Sequence, residues 1–218
     1  MSGQQSERLR RRPRPRLESL SDLIYGLSLS IGAISLVITN GQTLTISDID
    51  RNILDFVFVF MILITSWIIY TSDMSVLPIE TRLITFLNVV LLVLVAITPY
   101  LFDQVTSPAA TFDVQNYSSI LFTLDYAATL LIMTIFSHVI AQEERQLVDG
   151  EIMESFRRGR NRLLLLMIVV LLSLGAPWDW LVVGVHVRLL VWAVPIALYW
   201  FNRMRRGPVG VSGVGRPS

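Results

Sequence analysis

Long apolar runs separated by short polar gaps organise this chain, and the alternation occurs six times. The runs cover about 20–38, 53–70, 83–101, 117–140, 163–176 and 181–201. A helix rises about 1.5 Å per residue, so each run approaches the ~20 residues that cross a hydrocarbon layer about 30 Å thick. The pattern therefore predicts an all-α integral membrane protein with six transmembrane helices. The expected organisation is a basic tail at 1–17, a six-span domain at 18–202 and a second tail at 203–218. Pro13 and Pro15 at one end, and a closing stretch rich in Gly and Pro at the other, predict tails that contribute charge and no fold. Gly150 and Gly159 bracket a polar segment expected to be a partly helical linker.

The first span carries two stripes at helical spacing. Ser21, Ser28, Gly32, Ser35 and Thr39 form a face of small residues, the kind that lets membrane helices approach closely. Leu20, Ile24, Leu27, Ile31 and Ile34 form a bulky face about 100° away. On periodicity alone the small face packs on a neighbouring helix and the bulky face meets lipid.

Composition agrees with the membrane reading: 53% of residues are apolar and 16% are charged, against about 25% charged in soluble domains. Mean hydropathy is +0.59. The net charge of +1 conceals an uneven distribution, because all 18 basic residues are arginine. Arg8, Arg10, Arg11, Arg12, Arg14 and Arg16 precede the first span. Arg145, Arg157, Arg158, Arg160 and Arg162 fill the fourth gap, and Arg203, Arg205 and Arg206 follow the sixth span. The gaps at 39–52, 102–116 and 177–180 together hold one arginine. Under the positive-inside rule this places both termini in the cytoplasm. Tyr100, Trp178 and Trp180 are expected at outer boundaries, and Tyr70 and Trp200 at inner ones, as interfacial aromatics.

Candidate chemistry narrows the function. The chain has no cysteine and two well-separated histidines, His138 and His186, so no thiolate site and no metal or haem centre is expected, and no cofactor. Ser173 and Gly175 lack the setting of a hydrolase nucleophile. An aspartyl intramembrane enzyme needs two deep carboxylates, and Asp125 has no second deep acid beside it. The chain is read as no enzyme. Residues 182–185, Val-Val-Gly-Val, are the nearest thing to a carbonyl-lined potassium filter but read as ordinary helix, and no span repeats arginine as a voltage sensor does. Asp125 in the fourth span and Arg188 about eight residues into the sixth come out at similar depths. An unpaired charge there costs on the order of 3 kcal/mol, so an intramembrane ion pair is expected, with Arg188 reaching for the outer headgroups as the alternative. His186 is expected near those headgroups.

The sequence Arg16-x-x-x-Leu20-Ser21-Asp22, followed by a helix with Leu27, Ser30 and Ile31, resembles the first-helix signature of the transmembrane protein 175 family, written R-x-x-x-F-S-D. Ser66 and Trp67 resemble its second-span segment, and Asn88 with Pro99-Tyr100 its third-span pattern, so the likeness covers roughly residues 16–102. Leu20 replaces the usual phenylalanine and Leu23 a common glycine. Tyr70 stands where the second span usually has histidine, which bears on the polar network that histidine helps to build.

That family comprises potassium-permeable channels, so the resemblance implies a potassium-conducting homotetramer in the cell membrane, with potassium ions, the lipid bilayer and further copies of the chain as its partners. No nucleic acid is expected. It also implies a pore lined by the first helix at Leu27, Ser30, Ile31 and Ile34. Leu27 would form the hydrophobic constriction, and the Ser30 hydroxyls would help coordinate a partly dehydrated cation. Arg16, Ser21 and Asp22, with Trp67 and Asn88, would form a structural network tying the first helix to its neighbours. The competing reading is a non-conducting membrane scaffold or assembly protein that keeps the helical frame.

Overall fold

The computed structural model of the chain describes residues 15–35, 45–76, 82–143, 150–182 and 184–205. Six helices make up the described structure: α1 (Pro15–Ser35), α2 (Ile46–Val76), α3 (Arg82–Thr106), α4 (Phe112–Glu143), α5 (Gly150–Leu172) and α6 (Val187–Arg205). Three of them are long and apolar enough to cross a membrane, at Ile46–Ser75, Arg82–Thr106 and Phe112–Ile140, and α1 contains a shorter apolar stretch at Ser19–Ile34. The arginine-rich segments at 1–14 and 206–218 lie outside the described residues.

Local signals set several boundaries. Thr45 caps α2 reciprocally: its hydroxyl accepts from the Asp48 amide at 3.3 Å, and the Asp48 carboxylate accepts from the Thr45 amide at 3.0 Å. The polar segment expected as a linker is the first half of α5, which runs unbroken from Gly150 through Gly159. A 3-10 turn at Ser173–Gly175 ends α5, and Pro177 follows.

The sixth span departs most from expectation. Leu181–Val182 (β1) and Val185–His186 (β2) pair antiparallel, Leu181 opposite His186 and Val182 opposite Val185. Gly184 has φ +80°, the left-handed conformation that a two-residue hairpin turn requires and glycine supplies without strain. The helix therefore begins at Val187, not near 181. Hydropathy alone does not separate an apolar hairpin from the start of an apolar helix.

Contacts between helix ends show that successive helices alternate in direction. Ser21 on α1 meets Tyr70 on α2, and Arg51 on α2 donates to the Thr106 carbonyl on α3. Asp73 meets Ser137 on α4, and Arg160 on α5 meets His138. One end of the bundle, the Asp22 end, thus gathers the start of α1, the end of α2 and the end of α6; the other, the Arg188 end, gathers the start of α4 and the α5–α6 connection.

α4 is the central helix: 67% of its apolar stretch is buried, against 33% for α2 and 39% for α3. It packs mainly against α3 and α5, while α1 lies on α3 and α2. A line of aromatic contacts ties four helices together through this core. Phe58 stacks on Phe102 with ring centres 5.3 Å apart, Phe102 meets Phe122 at 5.4 Å, and Phe122 meets Trp192 at 4.5 Å. Each such pair adds about 0.5–1.5 kcal/mol beyond its buried area. Apolar side chains also cover much of the outside, among them Phe86, Val93, Ile97 and Tyr100 along one face of α3, as expected where the surrounding solvent is lipid.

Candidate functional site

α1 is divided lengthwise. Ser21, Tyr25, Ser28 and Gly32 are buried at the 4-3-4 spacing of a single helical face. Gly32 brings the backbone close to α2, where an added Cβ would sit 3.6 Å from Val59. The opposite face presents Leu20, Leu23, Leu27, Ile31 and Ile34, with Leu27 57% and Ile34 53% exposed. Ser30 lies on that exposed side, and its hydroxyl donates to the Gly26 carbonyl at 2.8 Å, which leaves the oxygen lone pairs outward.

The buried face of α1 is fastened to α2 by a polar clasp. Ser21 and Tyr70 share a hydrogen bond of 2.6 Å, Ser66 donates to the Tyr25 hydroxyl at 3.0 Å, and the Trp67 indole donates to Asp22 at 2.9 Å. The Tyr25 and Tyr70 rings lie 6.0 Å apart. Ser21, Asp22, Ser66 and Trp67 of the motif segments are thus brought together, and Tyr70, where histidine was the usual residue, supplies a hydroxyl to the same cluster. Tyr70 is buried in the bundle, against α1. Arg16 lies on α1, but its side chain is outside the described residues. Asn88 is on α3, 2% exposed, and its carbonyl oxygen has no hydrogen-bond partner among the described residues; it does not join the clasp. Tyr25, which sequence reasoning placed on neither stripe, is a full member. Its hydroxyl, between Ser21 and Ser28 at spacings of four and three, was the available signal.

The expected ion pair between Asp125 and Arg188 does not form. Because α6 starts at Val187, Arg188 is its second residue and stays at the helix end. It contacts Ser119 on α4, and Asp125 lies six residues further along α4, about 9 Å along the axis. Arg188 is 4% exposed and finds neutral acceptors instead. It donates to the Ala176 carbonyl at 3.0 Å, to the Asn116 side-chain oxygen at 3.2 Å and to the Ser119 hydroxyl. Its guanidinium also lies 5.9 Å from the centre of the Trp178 ring. Trp178, expected at an interface, is buried; it stacks on His186 at 4.0 Å, and the His186 Nδ1 donates to the Trp178 carbonyl at 2.6 Å. Asp125 accepts from the Thr98 hydroxyl at 2.7 Å, and a second buried carboxylate, Asp73, accepts from Ser137 at 3.1 Å.

No protein-family model matches the chain, and no curated protein matches it in sequence. Among solved structures it is similar to the crystal structure of a lysosomal potassium-selective channel TMEM175 homolog from Chamaesiphon minutus. The similarity has a TM-score of 0.61 at 12% sequence identity and covers 86% of this chain and 96% of that one. At that identity it is the arrangement of helices that is shared. The six-helix bundle, with α1 held against α2 and α3, shares its fold with that structure.

Proposed function

We propose that the chain is one subunit of a potassium-permeable cation channel, with four copies surrounding a pore lined by α1. In this reading all six helices cross the cell membrane, and the Asp22 end, with both termini, faces the cytoplasm. The observation that carries the proposal is the division of α1: a clasped, buried face of small and hydroxyl-bearing residues and, opposite it, an unoccupied wall of Leu27, Ile31 and Ile34 interrupted by the Ser30 hydroxyl. The shared fold with a potassium-selective channel homolog supports the same reading. A ring of leucines excludes water from a narrow pore, and hydroxyl oxygens beside it replace part of an ion's hydration shell. The clasp holds that wall in register without contributing to conduction.

Purified protein in liposomes, assayed for potassium flux, tests the function. The parent conducts, and Leu27→Ala widens and wets the constriction, raising flux and weakening the preference for potassium over sodium. A folded parent that passes no ion overturns the channel reading. A Leu27→Ala variant indistinguishable from the parent overturns the assignment of Leu27 to the pore.

A further inference from the structure

A cleft of about 60 Å³, open at one side, lies between α2, α4, α5 and α6. Most of its wall is aliphatic, including Leu163 and Leu166. The Tyr126 and Thr129 hydroxyls of α4 also line it, and neither makes a hydrogen bond among the described residues. Its polar rim is at the Asp22 end. Arg162, where the apolar part of α5 begins, lines the cleft and has no hydrogen bond or ion pair among the described residues. Tyr199 of α6 lines it beside Arg162, and its hydroxyl accepts from Arg203 at 3.2 Å. Arg162 thus stands at the mouth of an apolar slot, with Arg203 one hydrogen bond away on Tyr199, and neither is paired with a carboxylate among the described residues.

We infer that an anionic phospholipid binds over this cleft, its phosphate on Arg162 with Arg203 nearby and an acyl chain lying along the apolar wall on the outside of the bundle. The charge is complementary, the rim lies where the apolar helices end, and an apolar wall behind a cationic rim fits an amphipathic anion better than a free ion. Ser66 lines the same cleft while donating to Tyr25, so an occupant touches the clasp that holds α1. The inference rests on the proposed reading only in taking the Asp22 end to lie at a membrane interface.

The test uses the full chain in neutral detergent, with thermal unfolding and native mass spectrometry as readouts, titrated separately with phosphatidylglycerol, phosphatidylcholine and soluble glycerol phosphate. Phosphatidylglycerol raises the melting temperature saturably and is retained on the chain. Arg162→Gln weakens half-saturation about fivefold, the equivalent of about 1 kcal/mol. Arg203→Gln has a smaller effect, Arg162→Lys retains binding, and Leu163→Trp, which fills the cleft, abolishes it. Both arginines are exposed, so melting without lipid reports whether each variant folds. Equal responses to the two lipids, saturation by glycerol phosphate alone, or unchanged binding in both Arg→Gln variants would overturn the inference. None of these readouts involves ion flux: a non-conducting protein that still binds phosphatidylglycerol sinks the channel reading and leaves this one standing.

Discussion

The two ends of the bundle solve the problem of fastening helices in opposite ways. At the Asp22 end the clasp between α1 and α2 is made of paired side chains, hydroxyl to hydroxyl and indole to carboxylate, spread over six residues. At the Arg188 end a single cation gathers three neutral acceptors from α4 and from the turn after α5. A distributed clasp loses one bond when one residue changes. A hub loses three bonds at once when its cation is removed.

The largest effect is therefore expected at the hub. Arg188→Met should lower the unfolding free energy by about 3 kcal/mol, since it strands the Ala176 carbonyl and the Asn116 side-chain oxygen and leaves the Ser119 hydroxyl only its bond to the Asn116 carbonyl. Arg188→Lys should recover part of this by keeping the charge while losing the fork. Denaturation in detergent measures both. Combining Arg188→Lys with Asp125→Asn should give losses that add within about 0.5 kcal/mol, as for residues that share no partner. A strong coupling would mean that the charges meet after all, and that the hub is an ion pair.

The clasp should respond more gently. Ser21→Ala and Tyr70→Phe should each cost about 1 kcal/mol, and the double variant about the same as either alone, because both remove one shared bond. Full additivity would show that the two hydroxyls do not depend on each other. Smallest of all is Trp67→Phe, which removes a bond to the exposed Asp22 carboxylate and should cost less than about 0.5 kcal/mol. A loss as large as that of Arg188→Met would erase the distinction between hub and clasp.

The same contrast decides what was legible in the sequence. The clasp residues sit on a continuous helical period and within short motifs, so Ser21, Asp22, Ser66 and Trp67 could be singled out before their contacts were known. Tyr25 could not, because a tyrosine in an apolar run reads as lipid-facing or interfacial until its hydroxyl finds a partner, and Tyr70 stood out only as the residue at the usual histidine position. At the other end, residues 181–186 are apolar and β-branched, and only Gly184 marks the hairpin. Taking them as helix moved Arg188 inward by more than a turn and matched it to Asp125. Neutral acceptors such as the Ala176 carbonyl leave no mark in a sequence at all. The rim of the cleft was equally silent, since Arg162 counted there only as one basic residue among several.

Helix length has a mechanical consequence for the surrounding lipid. The apolar runs of α2 and α4, at 53–70 and 117–140, reach about 27 and 36 Å, near or beyond a hydrocarbon thickness of about 30 Å. The apolar part of α1 at Ser19–Ile34 reaches about 24 Å, and α5 is apolar only from Leu163 until the helix ends at Leu172, about 15 Å. In a bilayer, the protein therefore meets lipid along a border of uneven height. The membrane must thin where α5 faces it or tilt the longer helices elsewhere, at a fraction of a kcal/mol for each ångström of misfit. Bilayer thickness thereby becomes a variable to which this protein's shape is elastically coupled.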